Sequence, residues 1–312
     1  MLEKEGVKMM EIRTVAILGA GAIGAYFING MHGMLGENLW VAAEGARKVR
    51  LEKEGVYVNG KRMPLNLKTP DEAHGADLLI ISVKYGALKD SLEAVERIID
   101  SHTLVMAVLN GVDSEEIVAS RIGPDRVIPS FMNSSAQRRG NEVIVNPGAE
   151  NGVVFGEVDG SRTDRIEALD ALFGSTEMPY LISSNIMSDM WHKYVMNVSF
   201  NVPQAIINCC LAAFWNSEHM DYLNKKMDEE VRAIAAAKGI DLKASTIGYA
   251  TQAPKARLTT LQDLDAKRPT EIDMLSGTVV RMGRELGIPT PFNDFAYHAV
   301  KALEEKNSGL IS

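Results

Sequence analysis

The sequence predicts a doubly wound α/β domain over residues 1–183, followed by an all-α C-terminal domain over 184–312. Three observations predict it. Short β-branched apolar runs alternate with helix-spaced segments through the first half, the pattern of a parallel sheet with helices on both faces. A glycine-rich turn directly follows the first of these runs. After Ser183 strand-like runs stop and long helical stretches replace them.

The elements follow in order. Residues 12–18 form an apolar run that ends in glycines and reads as a buried parallel strand. Residues 38–43 make a second short run. Residues 56–67 alternate around Asn59-Gly60, a strong hairpin signal. The runs at 77–83 (DLLIISV) and 103–109 (TLVMAVL) are further buried strands, and between them Leu88, Leu92, Val95, Ile98 and Ile99 recur at helical spacing. Residues 143–155 carry Asn146, Pro147 and Gly148 in their middle and are expected to form a hairpin that closes this domain. Helices are expected at 185–212, 217–238 and 270–286. In the last, Thr270 and Asp273 resemble a capping pair, Ile272, Leu275, Val279 and Met282 form an apolar stripe, and Gly287 and Pro289 stop it.

Composition narrows the function classes. At 312 residues and 46% hydrophobic content, the chain can bury a sizeable core. A net charge of −8 argues against nonspecific nucleic-acid binding, which needs clustered basic charge. The two cysteines, Cys209 and Cys210, are adjacent and poorly placed to pair, which points to a reduced, cytoplasmic setting, with buried packing as their expected role. No apolar stretch approaches the ~20 residues of a membrane span, and residues 1–11 read as a short charged extension without the apolar core of a signal peptide.

The motif Gly19-Ala20-Gly21-Ala22-Ile23-Gly24 lies between a strand and an apolar helix. The first glycine makes the tight turn, the second lets backbone approach a pyrophosphate, and the third lets helix and strand pack closely. The helix N-terminus then offers N–H groups and a positive dipole end to phosphates. In this context the motif predicts a Rossmann-type dinucleotide site. The ribose end is ambiguous. Glu44 stands 20 residues after Gly24, where an acid that holds a 2′-hydroxyl in NAD sites belongs. Arg47, Lys48 and Arg50 follow and can reach a 2′-phosphate, or can form a solvated helix face.

Ligands of such sheets bind beyond the carboxyl ends of the strands. Lys84 follows DLLIISV and Asn110 follows TLVMAVL, so both are expected to face the cofactor crevice. The most informative segment is 191–201. Lys193, Asn197 and Asn201 are spaced i, i+4, i+8 on one helix face amid Met190, Trp191, Val195, Met196, Val198, Phe200 and Val202. Ammonium and amide groups in such company are costly unless paired, so the stripe is expected to line a cleft, the alternative being a solvated face. Pro203 breaks or kinks the helix just past it. A lysine suits ketone reduction: hydride delivery to a carbonyl leaves charge on oxygen, which an ammonium stabilises and protonates.

The sequence at this point resembles the ketopantoate reductase (2-dehydropantoate 2-reductase) family over nearly its whole length. The marks are GAGAIG at 19–24, SVK at 82–84, LNG at 109–111, W-x-K-x-x-x-N-x-x-x-N at 191–201 and LQD…TEID at 261–273. The resemblance implies a C-terminal domain like that of 6-phosphogluconate dehydrogenase. It implies NADPH-dependent reduction of the 2-keto acid 2-dehydropantoate to pantoate, a step toward pantothenate and coenzyme A. By position it implies Lys193 as general acid and Glu271 as its acidic partner. Asn197 and Asn201 would hold substrate, Thr259 would stand for a carboxylate-binding serine, and Lys84 and Asn110 would lie near the nicotinamide ribose and the substrate. No metal is implied. The chain departs from the family in two places. Glu44 stands where an arginine often holds the NADP phosphate, which leaves NAD(H) open beside NADP(H). Ala256 stands where some members have a substrate-binding asparagine, which leaves the substrate open. Helical domains of this kind often form homodimers, though no stretch marks a dimer face. Competing readings are a related hydroxy-acid dehydrogenase, a nicotinamide-binding sensor without turnover, and a scaffold; Glu271 disfavours the first, the intact polar set the second, and the unexplained stripe the third.

Overall fold

The computed structural model describes residues 10–133, 136–145, 152–245, 247 and 253–311. The chain divides into two compact units. One comprises residues up to Val83 with Ala87–Leu109 and Ser114–Ile186. The other comprises Lys84–Gly86, Asn110–Asp113 and Met187–Ser312.

In the first unit six parallel strands form one sheet. From edge to edge they are Asn66–Lys68, Leu39–Ala42, Val15–Leu18, Leu78–Ile81, Leu104–Ala107 and Val127–Ile128, which is order 3-2-1-4-5-6 along the chain. That order belongs to dinucleotide-binding sheets, and the reversal lies at Val15–Leu18. The register is direct, with Ile17 opposite Val41 on one side and Ile80 on the other. The three central strands are buried at every position, which explains their continuous rather than alternating apolar sequence. Helices α1 (Ala22–Leu35), α2 (Gly45–Glu54), α3 (Leu88–Ile98), α4 (Ser114–Ile122) and α5 (Asp164–Gly174) complete the alternation.

Two expectations for this unit need correction. The run at 56–67 is a hairpin only in its first part, Tyr57–Val58 against Lys61–Arg62, turning on Asn59 and Gly60, both at positive φ; its end enters the large sheet at Asn66. Residues 143–155 are not one hairpin. Glu142–Val145 pairs antiparallel with Ala136–Arg139 across Gly140 and parallel with Tyr57–Val58. Gly152–Phe155 joins a separate sheet between Ser130–Asn133 and Tyr180–Ile182. Gly152 explains the placement: at φ +60 it lies so close to Pro179 that a Cβ would meet that carbonyl oxygen at 1.8 Å. Asn146, Pro147 and Gly148, on which the hairpin expectation rested, lie outside the described residues, as do residues 1–9.

In the second unit the helices are α6 (Ile186–Met196), α7 (Val202–Ile207), α8 (Ala213–Asn216), α9 (Glu218–Ala237), α10 (Thr259–Asp265), α11 (Thr278–Leu286) and α12 (Pro291–Ser308). Trp191, Tyr194, Val198, Val231, Ile272, Leu275, Val279 and Val300 share its core. Asn208, in the left-handed conformation, ends α7, and Cys209 and Cys210 beyond it are free and half-buried rather than buried. Ser217 caps α9 by accepting from the Met220 amide. The helix predicted at 270–286 opens as a wide π-turn, Asp273–Gly277, before α11 begins, and Gly287 stops it at φ +69. The Thr270–Asp273 pair forms half of its expected cap. Thr270 Oγ1 accepts from the Ile272 amide, but the Asp273 carboxylate turns instead to Tyr297 and Lys301. Lys301 and the Tyr297 hydroxyl give it charge-assisted partners that a single backbone amide does not match. No helix among the described residues is long and apolar enough to cross a membrane.

Gly24 is the tightest point of the first turn: a Cβ there would meet the Gly19 carbonyl oxygen at 1.8 Å and Ser82 Oγ at 2.9 Å. We expect Gly24→Ala to destabilise the first unit by about 1–3 kcal/mol, the range for overpacking a tight interior. Thermal melting followed by circular dichroism checks it, and an unchanged melting profile would contradict this packing.

Candidate active site

Helix α6 buries Trp191, Tyr194 and Val195 in the core, which leaves Lys193 half-buried on another face. Lys193 Nζ donates to Asn110 Oδ1 at 3.0 Å, and Asn110 Nδ2 donates to Glu271 Oε2 at 3.4 Å. One amide thus stands between an ammonium and a carboxylate, its two ends oriented by them. Burial pushes the Lys193 ammonium down to about 8, against the pull of Glu271, which raises it. Burial likewise pushes the Glu271 carboxyl up, opposed by the Asn110 hydrogen bond and by Lys84 and Lys193, and reinforced by Asp263. Both groups are moved toward neutrality, the state in which a proton is exchanged most readily near neutral pH.

The stripe below Lys193 has its own cause. In a regular α-helix an i, i+8 pair drifts by ~80° around the axis. Here residues Asn197–Asn201 form a π-turn, whose wider spacing works against that drift. Pro203, at the start of α7, has no N–H to give the Ser199 carbonyl four residues earlier. Asn224 Nδ2 donates to that oxygen at 3.0 Å instead. Asn201 is buried and donates to Thr259 Oγ1 at 3.3 Å. Asn197 is half-buried, and its side chain makes no hydrogen bond to another described residue. Lys84 is mostly exposed and lies 3.9 Å from Asp263, which also pairs with Arg268.

The structure therefore gathers Lys193, Asn110 and Glu271 into one chain of contacts, Asn201 and Thr259 into another, and places Lys84 beside Asp263. Four participants were missed in the sequence. Asp263 lies within the LQD motif, and Gln204 continues the stripe one turn on. Gln204 is fully buried, donates to the Ala256 carbonyl and accepts from the Leu258 amide, so it shapes the segment that leads into Thr259. Tyr85 and Asp113 neighbour Lys84 and Asn110 in sequence but carried no spacing signal.

The remaining predicted residues belong to the first unit. A Cβ on Gly19 would meet the Ser82 and Val83 backbone at 2.8–2.9 Å, so the turn itself requires that glycine. On Gly21 a Cβ would meet only the Ser82 carbonyl at 3.9 Å. The protein's own packing does not need a glycine there, and the room suits a close ligand. Helix α1 has no side-chain cap and no acid in its first turn, so Ala22, Ile23 and Gly24 fit a dinucleotide diphosphate. Glu44 is held by Arg97, whose Nη1 donates to both carboxylate oxygens at 3.0–3.1 Å while Nη2 binds Asp71. Arg138 donates to the carbonyl of Ala20 inside the glycine turn at 2.9 Å, and the charges of Arg50 and Arg47 act on it together with burial to lower its pKa. Arg47 and Arg50 have no ion pair among the described residues.

Known proteins carry the same pattern. Residues 15–160 match the family model described as ketopantoate reductase PanE/ApbA, and residues 185–304 match its C-terminal model. The chain belongs to the ketopantoate reductase family. Curated relatives named 2-dehydropantoate 2-reductase include one from Mesorhizobium japonicum, 27% identical over 93% of this chain and 97% of its own. Another from Pyrococcus horikoshii is 24% identical over 95% and 99%. A PanE/ApbA family ketopantoate reductase from Ralstonia eutropha superposes with a TM-score of 0.78 at 25% identity, covering 95% of this chain and 99% of the other. D-mandelate dehydrogenase, solved with NADH and anilino(oxo)acetate, shares the fold with a TM-score of 0.80 at 23% identity, over 95% and 99%. The family consists of nicotinamide-dependent reductases, and this chain is an oxidoreductase of that kind.

The titration of Lys193 gives a direct test. Modification of its amine by trinitrobenzenesulfonate, read by peptide mass, should rise through a midpoint near pH 8. Glu271→Gln should move that midpoint lower, because the carboxylate holds the proton on Lys193. A midpoint unchanged in the variant would show that the two groups do not interact.

Proposed function

We propose that this protein reduces 2-dehydropantoate to pantoate with NADPH, with Lys193 as general acid, as a step toward pantothenate and coenzyme A. The Lys193–Asn110–Glu271 chain carries the reading. The α/β domain, residues 1–183, serves the dinucleotide, and the helical domain, 184–312, serves the keto acid.

Bound reduced nicotinamide supplies a hydride to the carbonyl carbon of the keto acid. As charge builds on the carbonyl oxygen, Lys193 stabilises it and passes over its proton, which completes the hydroxyl. Asn110 accepts from Lys193 and so aims the ammonium, and Glu271 fixes the amide by accepting from its other end. Lys193 is left neutral and regains a proton from solvent, which a pKa near 8 makes easy at neutral pH. Asn197 and Asn201, with Thr259, serve the substrate hydroxyl and carboxylate, and Lys84 serves the cofactor ribose or the substrate anion.

Two features support NADPH. Arg97 already neutralises the Glu44 carboxylate. Arg47 and Arg50 remain without acidic partners among the described residues, and guanidinium groups suit a 2′-phosphate. NADH is the second reading, because Glu44 follows the strand Leu39–Ala42 as the N-cap of α2, the place of an acid that holds a 2′-hydroxyl. A different 2-keto acid is the alternative substrate, favoured by the apolar side chain of Ala256.

The test is loss of reduced-nicotinamide absorbance with ketopantoate, run in parallel with NADPH and NADH. Turnover favouring NADPH is expected; turnover of another 2-keto acid alone would overturn the substrate. Lys193→Ala should lower kcat at least about 100-fold with an unchanged far-ultraviolet spectrum, within the range that acid–base catalysis contributes. Near wild-type turnover in that variant would remove Lys193 from the chemistry. Glu44→Arg should shift the cofactor ratio further toward NADPH, and an unchanged ratio would show that position 44 does not reach the ribose.

A further inference from the structure

The Asn110 side chain is the middle of the site, yet it projects from a short stretch, Asn110–Asp113, without regular structure of its own. What holds that stretch is Asp113, whose side chain is almost wholly buried. Its Oδ2 accepts from the Tyr85 hydroxyl at 2.6 Å, from Arg281 Nη2 at 2.7 Å and from Thr278 Oγ1 at 3.5 Å. Its Oδ1 has no hydrogen-bond partner. A buried carboxylate used on one side only is a poor way to stabilise a fold, since an unmet acceptor is costly and apolar side chains fill such space at less expense. Such a group is better explained by where it puts its neighbours.

Its partners adjoin the site residues in sequence. Tyr85 follows Lys84 directly, so the one carboxylate ties both the Lys84 stretch and the Asn110 stretch to α11. Gly111 is wedged between Asp113 and the π-turn: a Cβ there would meet Asp113 Oδ1 at 3.2 Å and Met274 Cγ at 3.1 Å. The Met274 amide in turn donates to the Glu271 carbonyl at 3.0 Å. On the other side Tyr194, next to Lys193, donates to the Leu275 carbonyl at 2.6 Å. The Tyr85 hydroxyl keeps its proton for this role, since burial and the Asp113 carboxylate push its pKa to about 12.

We propose that Asp113, held by Tyr85 and Arg281, is a positioning residue that presses the Asn110–Gly111 stretch against Met274 and thereby keeps the Asn110 amide between Lys193 and Glu271. Its kinetic arm rests on the reductase reading above; its structural arm does not.

Both arms use the full chain. Tyr85→Phe removes one hydroxyl and keeps the ring, so it tests the proposal even if Asp113→Asn fails to fold. It should lower kcat three- to tenfold, leave KM for the keto acid within twofold, and leave the residual rate of Asn110→Ala unchanged when the two are combined. Non-additivity of that kind shows that Tyr85 acts through Asn110, whereas a merely structural role would add to the Asn110 loss. Independently, hydrogen exchange in the peptide spanning 109–113 should quicken at least fivefold in Tyr85→Phe and in any folded Asp113→Asn protein. Additive losses, or exchange unchanged in that peptide, would overturn the proposal. If the wild-type protein turned over no keto acid, the function would fail, and the exchange measurement alone would decide the positioning role.

Discussion

The constraint on which the site depends is a lysine ammonium taken largely out of water that donates to the Asn110 amide, whose other end binds Glu271. A charge so placed is costly, and burial lowers the affinity of Lys193 for its proton, against the pull of Glu271. Glu271 stays one amide away. Were it in direct contact, the ion pair would hold the proton more tightly and oppose its transfer. With Asn110 between them, the ammonium is aimed and moderately supported, and both ionisable groups are brought toward the range where a proton moves at neutral pH.

That arrangement grows from irregular helix. Two π-turns, Asn197–Asn201 and Asp273–Gly277, flank the reacting residues. In each, a side chain donates to a backbone carbonyl. Asn224 reaches the Ser199 oxygen and Tyr194 reaches Leu275. Such contacts tie the irregular turns to neighbouring helices through side-chain donors. The glycine turn of the first unit applies the same logic to backbone approach, where Gly19 and Gly24 are set by packing and Gly21 keeps room.

Much of this was legible in the sequence, for definite reasons. Continuous apolar runs such as DLLIISV mark strands buried on both faces, and the run-to-turn-to-helix order around Gly19–Gly24 marks the dinucleotide turn. Lys193, Asn197 and Asn201 stood out because polar groups are conspicuous in an apolar helix. What was hidden depended on long-range pairing. Nothing local separates Glu142–Val145 from Gly152–Phe155 as members of different sheets, since the choice is made by Tyr57–Val58 and by Tyr180–Ile182 far away in sequence. The π-turns were hidden because helical spacing does not register one extra residue per turn. Arg97 was hidden because its role, holding Glu44 and Asp71, spans 53 and 26 residues. Asp113 was hidden because a single acid after a strand looks like any turn residue.

The measurement that tests the central claim most directly is the pH dependence of kcat/KM for keto-acid reduction from about pH 6 to about pH 10. A proton donor titrating near 8 predicts a plateau at neutral pH and a basic limb that falls through that value. A rate that stays level to the top of the range would contradict it, because Lys193 would then be spectator to the proton transfer.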